Sequence, residues 1–412
     1  MVDQRRIDNQ RFVDARTAAN HLGIQVRSLY AYVSRGQVRS VPGEAGRPRL
    51  YALDDLDRLR VRRDARAGHG PVAAGALRWG EPVLDSGITA ITPRGPAYRG
   101  RYALDLVGRP FENVAELLWS GYLPEAPVTW PRATIPIAQL SRLVPTNARP
   151  LEIMPLVVQL AALDARAGIG GRGSLDDPRP DAIIAHARTL IPLLAATLSS
   201  NAASFTRALG GSSVAQVLAR ALDIEDETHV LDTILVLLAD HELNASSFTA
   251  RIAASTGADP YACIAAALAT LSGPLHGTAS EEVARFAEEV GSPDGAKAAV
   301  RALRKKQQHP PGFGHPLYPH GDPRGGPLLE LARTSSARRA RTLLAIVEAT
   351  DAHPSVDVGL AAVVAALGLA PPTASALFAV ARTAGWLAHV LEQRAAGFLL
   401  RPRARYTGVA IT

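Results

Sequence analysis

Apolar residues recur at helical spacing along most of the chain after residue 110. This periodicity predicts Ala- and Leu-rich helices over residues 113–119, 150–167, 180–198, 214–221, 228–255, 261–271, 280–290, 293–307, 326–351, 358–367 and 374–393. Residues 83–90 predict one or two short strands. The sequence has no repeat period, no Gly-rich phosphate loop and no zinc-ligand spacing. The predicted fold class is therefore mostly α, and helices alone do not indicate a function.

The first 66 residues follow a different pattern. They predict a short helix, a tight turn, a second helix, a β-hairpin with a basic tip and a closing amphipathic helix. The first helix covers residues 17–24, with the turn at Gly23, and the second helix covers 28–33. The hairpin covers 37–53 and the closing helix 53–61. Ser28 stands near the start of the second helix, as an N-cap would. Because glycine allows a close turn, the first two helices predict a helix-turn-helix.

This segment resembles the winged helix-turn-helix of the mercury-resistance-regulator and excisionase type. The resemblance rests on Ala18-Ala-x-x-Leu-Gly-Ile24, Ser28-Leu-Tyr30 and a basic wing that ends in Tyr51-x-Leu-x-Asp-Leu56. It implies that the second helix enters the major groove of duplex DNA. The candidate DNA contacts are Arg27, Tyr30, Arg47 and Arg49. A packing or dimerisation module is the alternative that the sequence leaves open.

The net charge is concentrated at the N-terminal end. The chain has 412 residues, with 45 Lys and Arg against 38 Asp and Glu. Residues 1–70 hold 14 Arg and 8 acidic residues, whereas the other 31 basic and 30 acidic residues nearly cancel. This asymmetry favours an anion-binding head on a neutral body. Gly and Pro then mark a linker, so we predict segments 1–66, 67–76 and 77–412.

The composition excludes several classes of protein. A hydrophobic content of 47% is too high for a disordered chain. The single cysteine, Cys263, cannot form an internal disulfide and rules out a Cys-rich zinc site. Residues 1–16 lack the apolar core of a signal peptide, and no uncharged apolar run reaches the ~18 residues of a membrane span. We therefore expect a soluble protein of the reducing cytoplasm, with no metal and no membrane partner.

Two rigid loops each present a histidine. The first, residues 273–277, places His276 just before a helix that opens with a capping-box pattern at Thr278. The positive end of that helix disfavours an imidazolium, so we predict a neutral His276 that donates to an oxygen becoming an enolate. The second loop, residues 310–315, ends in His315. Capping or packing is the alternative role for either loop.

Polar residues also interrupt the apolar helices. His241 lies among five polar residues in the middle of the predicted helix 230–254, as part of a polar site or of a network between helices. Asp357 stands at the start of an apolar helix, as an N-cap or as a functional acid. Arg324 follows the second histidine loop, and Arg382 lies in an apolar helix, where a buried Arg needs an anionic partner from the protein or from a ligand. Together these residues indicate carboxylate substrates and carbon-acid chemistry.

The motifs as a set resemble the citrate synthase family, in the family's order. They are Leu238-Ala-Asp-His-Glu-Leu-Asn-Ala-Ser246, Gly273-Pro-Leu-His-Gly277, Pro311-Gly-Phe-Gly-His315, Asp322-Pro-Arg324, Ser355-Val-Asp357, Ala381-Arg-Thr-Ala-Gly-Trp-Leu-Ala-His389 and Arg401-Pro-Arg-Ala-Arg-Tyr-Thr-Gly408. The likeness runs from about residue 77 to the C-terminus. It implies a mostly α homodimer with large and small helical domains, the small one covering roughly 277–375, and a site in the cleft between them. Here the small winged helix-turn-helix domain precedes them.

The resemblance implies a role for each motif. Asp357 is the base that removes a methyl proton from acetyl-CoA, His276 stabilises the enolate, and His315 polarises the ketone of oxaloacetate and protonates the new alkoxide. Binding residues are implied as well: His241, Arg324 and Arg382 for the oxaloacetate carboxylates, Arg401 from the partner subunit, and Pro311, Gly312, Phe313 and Gly314 for the adenine end of CoA. No cofactor is implied, since the CoA thioester is a substrate.

The predicted reaction condenses acetyl-CoA with oxaloacetate to citrate and CoA. One alternative is a 2-methylcitrate synthase that uses propionyl-CoA, since one methylene is worth only ~1–3 kcal/mol in a pocket. Another is a DNA-binding regulator whose body senses a metabolite. The chain departs from the family where Thr278-Ala-Ser280 replaces Gly-Ala-Asn, and where residues 316–321 lack the usual basic residues for CoA phosphates. Lys305 and Lys306 either compensate for that loss or are solvated helix surface.

Overall fold

The computed structural model describes most of the chain in two units. The described residues are 5–7, 10–34, 37–43, 48–53, 55–56, 59, 84–133, 135–137, 144–145, 147–168, 174–175, 177–315, 317–402 and 408–409. Their contacts divide the chain into unit 1, Met1–Asp85, and unit 2, Ser86–Thr412. The predicted linker 67–76 and Arg47 lie outside the described residues, so the segment boundaries stay predictions.

Among its described residues, unit 1 has the helices α1 and α2, a four-stranded antiparallel sheet and further helical residues at 53, 55–56 and 59. Its elements are β1 (Arg5–Ile7), β2 (Gln10–Asp14), α1 (Ala15–Leu22), α2 (Val26–Ser34), β3 (Ser40–Val41) and β4 (Leu50–Ala52). The strands are ordered β1-β2-β4-β3, with Phe12 opposite Ala52 and Ser40 opposite Tyr51. The predicted hairpin therefore forms as β3 and β4.

Residues at the two helix ends explain the turn between α1 and α2. Asp14 caps α1, its Oδ1 accepting two backbone N–H bonds of the first turn at 2.8 Å. Gly23 ends α1 with a φ of 60°, which glycine adopts without strain. The prediction that α2 starts near Ser28 is wrong by two residues, because the Ser28 N–H already donates to Gln25 O at 2.9 Å and the helix begins at Val26.

Unit 2 is mostly helical, as predicted. Its strands β5 (Thr89–Thr92), β6 (Gly95–Tyr98) and β7 (Arg101–Tyr102) pair antiparallel in that order. The helices of the described residues are α3 (Phe111–Ser120), α4 (Pro150–Arg166), α5 (Pro180–Ala196), α6 (Ala202–Ala208), α7 (Val214–Ala221), α8 (Thr228–Leu238), α9 (Ala245–Ser255), α10 (Pro260–Leu271), α11 (Ala279–Val290), α12 (Ala296–Lys305), α13 (Gly325–Ala332), α14 (Arg338–Ala349), α15 (Val356–Ala366) and α16 (Pro372–Ala396). Single 3₁₀ turns occur at Ala103–Leu106, Glu225–Glu227 and Pro293–Gly295.

Two of the predicted helices are wrong because each is broken in two. The helix predicted over 228–255 is α8 and α9, and the one predicted over 326–351 is α13 and α14. In the first break Glu242 adopts a φ of 57°, outside the helical region. Asn244 Oδ1 then accepts the Ser247 N–H at 3.0 Å and starts α9. The polar residues around position 241 thus stand in a break between helices rather than inside one.

The long helix α16 is a core element of unit 2. Helices α3, α4, α5, α8, α9 and α10 all pack against it. Trp386 is fully buried on α16, and Trp119 Nε1 donates to Ala384 O at 2.9 Å. Among the described helices, α16 alone is long and apolar enough to cross a membrane, but 89% of that apolar stretch is buried inside the chain. Burial on all sides accounts for its composition, as in the core helix of a large domain.

Candidate active site

Backbone hydrogen bonds hold the loop of residues 310–315 against the start of α15. The Ser355 N–H donates to Gly312 O at 2.8 Å, and the Gly314 N–H donates to His353 O at 3.1 Å. Gly312 has a φ of 82°, and a Cβ there would lie 2.6 Å from a methyl of α11 and 2.7 Å from one of α15. Only glycine fits this position. The pairing brings His315 within electrostatic reach of Asp357.

Asp357 lies in the first turn of α15 and is not its N-cap. Ser355 is the N-cap, since its Oγ accepts the Asp357 N–H at 3.2 Å. The alternative that Asp357 only caps the helix is therefore wrong. Its Oδ1 accepts the Ser280 hydroxyl at 2.8 Å, and its Oδ2 lies 3.4 Å from Ser355 Oγ. The half-buried carboxylate thus stands where α11 and α15 meet.

His276 lies in the turn between α10 and α11, two residues before Thr278. The predicted capping box is wrong: Thr278 has φ −102° and ψ 10°, not the extended backbone of a side-chain cap, and its hydroxyl donates to Pro274 O at 3.4 Å. Burial lowers the pKa of His276 to about 4, with a further contribution from the Arg382 guanidinium. The predicted neutral ring is confirmed, but its cause is burial rather than the helix end.

A serine hydroxyl contacts one ring nitrogen of His276. The Nε2 atom lies 2.8 Å from Ser246 Oγ, which also accepts the Trp386 Nε1–H at 3.1 Å and lies 2.8 Å from Asn244 Oδ1. A hydroxyl has one proton, which Ser246 donates to Asn244 Oδ1 in this structure and would donate to Nε2 only if the hydroxyl turned. Donation to Nε2 places the ring proton on Nδ1 and makes that nitrogen the donor to a ligand.

His241, in the break between α8 and α9, is paired with a buried tyrosine. Its Nε2 lies 2.8 Å from the Tyr318 hydroxyl. Burial, together with the charges of Arg324 and Arg382, holds the pKa of His241 well below its usual range. Burial also raises the pKa of Tyr318, so the phenol keeps its proton at neutral pH. Two neutral groups therefore share this hydrogen bond.

Arg324, just before α13, is buried together with its counter-ion. Its Nε and Nη2 donate to the two carboxylate oxygens of Asp322 at 3.0 and 2.7 Å. Burial alone would raise the pKa of Asp322, but the guanidinium holds it below its usual range. The Nη1 atom of Arg324 is buried and has no hydrogen-bond partner among the described residues. An unpaired buried donor costs about 1–3 kcal/mol, which an acceptor on a ligand would recover.

Arg382 is the second buried guanidinium of the site. It lies on α16, is 1% exposed, donates from Nε to Leu238 O at 2.9 Å, and stacks 4.4 Å from the centre of the Phe378 ring. Burial lowers its pKa to about 10, so it stays a cation at neutral pH. Within the described part of the chain its hydrogen bond goes to a carbonyl and not to a carboxylate. The buried carboxylate of Asp240 acts on the Arg382 charge, but no hydrogen bond joins the two side chains among the described residues.

His315 completes the cluster. Burial lowers the pKa of His315, and the Arg324 charge lowers it further. The carboxylates of Asp322 and Asp357 act in the opposite direction, and the net pKa is below the usual value. The Leu317 N–H donates to Nδ1 at 3.2 Å, so the proton of the neutral ring is on Nε2. The ring centre lies 6.1 Å from that of the His241 ring. The histidines, the two Arg and Asp357 thus form one electrostatically coupled site.

The predicted residues for CoA and for the partner subunit lie on the loop 310–315 and beyond α16, respectively. Pro311–Gly314 form the loop described above, and three of these four residues are half-buried. Lys305 and Lys306 are exposed at the end of α12. Arg401 is exposed beyond α16 and makes no hydrogen bond or ion pair with the residues described for its own chain.

In unit 1 the candidate DNA contacts are on the surface. Arg27 and Tyr30 are exposed on α2, with 54% of Tyr30 accessible. Arg49 is held on the hairpin, since its Nε and Nη2 donate to the hydroxyl and the carbonyl of Ser40 at 3.1 and 3.2 Å. Arg47, at the predicted tip, lies outside the described residues.

Sequence reasoning missed the residues that hold the site residues in place. Tyr318 belongs to the stretch 316–321, whose distinguishing feature in the sequence is its lack of basic residues. Ser246 and Asn244 belong to a family motif that implies no role for them. Ser280 stands out in the sequence only as a departure from the family. Each of these side chains is neutral and common in loops or helices, so only its contacts distinguish it.

Most of the chain is similar to known proteins of one family. The family model described as "Citrate synthase, C-terminal domain" matches residues 76–403. The chain belongs to the citrate synthase family. The crystal structure of citrate synthase from Thermotoga maritima MSB8 aligns with a TM-score of 0.65 and 26% identity, covering 81% of this chain and 95% of that one. The family resemblance and the citrate synthase fold of the helical body are thus confirmed.

Two curated relatives illustrate the range of the family. Citrate synthase 2 from Bacillus subtilis (strain 168) is 40% identical over 191 residues, which are 44% of this chain and 51% of the relative. A 2-methylcitrate synthase from Mycobacterium tuberculosis (strain ATCC 25618 / H37Rv) is 29% identical over 362 residues, covering 80% of this chain and 89% of the relative. The match to the Bacillus protein therefore spans about half of that relative, and the match to the mycobacterial protein spans most of it.

Proposed function

We propose that this member of the citrate synthase family is an acyltransferase that condenses acetyl-CoA with oxaloacetate to give citrate and CoA. The observation that carries the proposal is the unpartnered, buried Nη1 of Arg324 beside a second buried cation, Arg382. Planar guanidinium groups suit carboxylates, and two of them suit a dicarboxylate. Neutral His241 adds a hydrogen bond to the ligand without adding charge. The name of the Bacillus relative supports the same reaction.

The proton chemistry follows from the charge states. A thioester α-proton is too weakly acidic for a carboxylate to remove unaided, so a base needs a donor opposite it. Asp357 is the base, and neutral His276 donates a ring N–H to the thioester oxygen as the enolate forms. A neutral imidazole suits this task because it can hydrogen-bond the enolate oxygen without losing its proton to it, whereas an imidazolium is a much stronger acid. The pKa of about 4 keeps the His276 ring neutral.

Carbon–carbon bond formation uses the second histidine. The enolate carbon attacks the ketone carbon of oxaloacetate, and the ketone oxygen becomes an alkoxide. His315 donates its Nε2 proton to that oxygen, since its Nδ1 already accepts the Leu317 N–H. Water then cleaves the thioester, which releases the CoA thiol and forms the third carboxylate of citrate.

A 2-methylcitrate synthase is the second candidate. The mycobacterial relative with that name aligns with this chain over 89% of its own length. Propionyl-CoA differs from acetyl-CoA by one methylene, which a pocket distinguishes by only about 1–3 kcal/mol. Both reactions use the same base and the same donors.

CoA would be held at the loop 311–314. A cavity of about 460 Å³ adjoins it. Phe286, Leu303 and Pro311 give this cavity an apolar part that suits a nucleobase, and the charged residues Glu282, Arg285 and Glu289 also line it. No residue between 316 and 321 carries a permanent positive charge. The phosphates would then rely on Lys305 and Lys306 or on solvent.

The active form would be a homodimer with Arg401 acting in trans. Arg401 has no partner among the described residues of its own chain, and a carboxylate of the bound substrate in the other subunit would supply one. Leu156 and Leu163 on α4 and Ile252 on α9 are 46%, 60% and 37% exposed. Exposed apolar side chains on two helices that both pack on α10 support a subunit interface.

For unit 1 the winged helix-turn-helix resemblance supports binding to duplex DNA. Exposed Arg27 and Tyr30 on α2, together with the positive net charge of residues 1–70, favour an anionic partner. Binding should weaken steeply with salt, and Arg27→Ala with Arg49→Ala should lower the salt slope by about one unit per lost phosphate contact. Absence of salt-sensitive binding at low ionic strength would make unit 1 a packing module.

A location in the cytoplasm stays a prediction.

A thiol-release assay tests the proposed reaction. The full chain is incubated with oxaloacetate and either acetyl-CoA or propionyl-CoA, and the faster thioester identifies the substrate. Asp357→Asn should lower turnover by about 10²–10⁴-fold, since it removes the general base. Exposed Asp351→Asn is the matched control and should leave turnover unchanged. No thiol release from a folded wild type with either thioester would overturn the proposal.

A further inference from the structure

Ser280 contacts the proposed base from a neighbouring helix. It is the second residue of α11 and is 2% exposed. Its Oγ lies 2.8 Å from Oδ1 of Asp357, which is 77 residues away in the chain. A carboxylate can only accept, so the serine hydroxyl is the donor. This is a charge-assisted hydrogen bond, which is stronger than one between neutral groups.

The two oxygens of Asp357 are held unequally. Among the described residues, Oδ1 accepts the short bond from Ser280, whereas the one hydrogen-bond contact of Oδ2 is the Ser355 hydroxyl at 3.4 Å. The Ser355 Oγ also accepts the Asp357 N–H. The bond from Ser280 occupies a lone pair of Oδ1, and Oδ2 keeps its lone pairs freer. Oδ2 is therefore the oxygen that can receive a proton from a substrate.

We propose that Ser280 is a positioning residue that fixes the carboxylate of Asp357 and directs Oδ2 to the acyl methyl group. The inference rests on the proposed condensation, because it takes Asp357 as the base. Ser280 does not touch the reacting atoms. It acts by restricting rotation of the carboxylate, since a misplacement of about 1 Å at a reacting group can cost about 10²-fold in rate.

A second serine, on α16, provides a matched control. Ser375, which is 1% exposed, donates to Oε1 of Glu281 at 2.6 Å. Glu281 follows Ser280 in α11, so both serines join a carboxylate to a hydroxyl across helix contacts. Only one of the two carboxylates is the proposed base. Ser280→Ala and Ser375→Ala therefore remove equivalent bonds with different expected consequences for catalysis.

The experiment compares the two variants in the full chain. Ser280→Ala should lower kcat by about 10-fold or more, the equivalent of losing a hydrogen bond to a charged group, with KM for oxaloacetate changed less than about 2-fold. The primary deuterium isotope effect on kcat with trideuterated acetyl-CoA should increase, since proton removal becomes more rate-limiting. Ser280→Thr, which keeps a hydroxyl, should restore most of kcat. Ser375→Ala should leave kcat and the isotope effect unchanged.

Two outcomes would overturn the proposal. One is a Ser280→Ala variant with unchanged kcat and isotope effect, and the other is an equal loss of kcat in both variants. Crystal structures of both variants give a readout that needs no activity: the carboxylate of Asp357 should rotate in Ser280→Ala and keep its orientation in Ser375→Ala. An inactive wild type would refute the proposed condensation, whereas an unmoved carboxylate would refute the role of Ser280.

Discussion

The folded protein should become less stable as the pH rises through about 7, because of Glu112. This residue is 1% exposed in the first turn of α3. Its Oε1 accepts the Val214 N–H at 2.7 Å, but its buried Oε2 has no hydrogen-bond partner among the described residues. Burial raises the pKa of Glu112 from 4.5 to about 7, with a contribution from the nearby Asp232 carboxylate.

The sign and size of the effect follow from linkage. The pKa of Glu112 is higher in the folded chain than in the unfolded chain, so the folded state binds more protons between pH values of about 4 and 7. Its contribution to the free energy of unfolding is fully present below the unfolded pKa and is lost as pH rises through the folded pKa. At about 1.36 kcal/mol per pKa unit, a rise from 4.5 to about 7 corresponds to about 3 kcal/mol.

Denaturant unfolding of wild type and Glu112→Gln tests this prediction. Glutamine keeps the acceptor for the Val214 N–H and cannot ionise. Between pH values of about 5 and 8.5, the stability of Glu112→Gln relative to wild type should increase by most of the expected 3 kcal/mol. Asp232→Asn is a parallel variant, since burial raises the pKa of Asp232 to about 6 and its effect should be complete at lower pH. A difference between Glu112→Gln and wild type that does not change with pH would refute the reasoning.

Three further predictions concern the site. Tyr318→Phe removes a hydroxyl that lies 2.8 Å from Nε2 of His241. KM for oxaloacetate should rise by about 2- to 10-fold, the value of one neutral hydrogen bond, with little change in kcat. Steady-state kinetics measure both constants, and an unchanged KM would contradict the prediction. Mixing inactive Asp357→Asn with inactive Arg401→Ala subunits should restore activity through hybrid dimers; no recovery, with subunit exchange confirmed, argues against a site built in trans. Replacing Lys305 and Lys306 with Ala should raise KM for acetyl-CoA, most at low salt, if they meet CoA phosphates; an unchanged KM would assign them to solvated surface.

Periodicity predicts those helices well whose sequence has no competing local signal. The helix over 214–221 has the same bounds in the structure and in the prediction. The prediction failed over 228–255, because residues on both sides of the break keep a helical spacing. There the break depends on Glu242, a non-glycine residue with a φ of 57°, and on the cap at Asn244. Neither feature changes the pattern of apolar residues, so periodicity cannot detect them.

The site shows a similar division. Its histidines, Asp357 and the Arg residues could be predicted because rigid loops and apolar helices make isolated polar groups conspicuous in a sequence. Their partners could not. The Ser280–Asp357 and His241–Tyr318 bonds each join residues 77 positions apart. Such contacts depend on how helices and loops pack, and a serine or tyrosine in an ordinary context carries no signal of it.

The chemistry of the site depends on histidines that are kept neutral, and the packing explains how. Burial is the first cause of the lowered pKa of His241, His276 and His315, and buried guanidinium groups act in the same direction. A neutral imidazole can donate from only one nitrogen, so its tautomer decides whether it helps or hinders. Each ring has a different partner: a phenol, a serine hydroxyl and a backbone N–H, respectively. Tyr318 and Ser246 are buried, so in the proposed reaction the rings of His241 and His276 would be oriented before a substrate arrives, and the barrier would not include the cost of turning these rings.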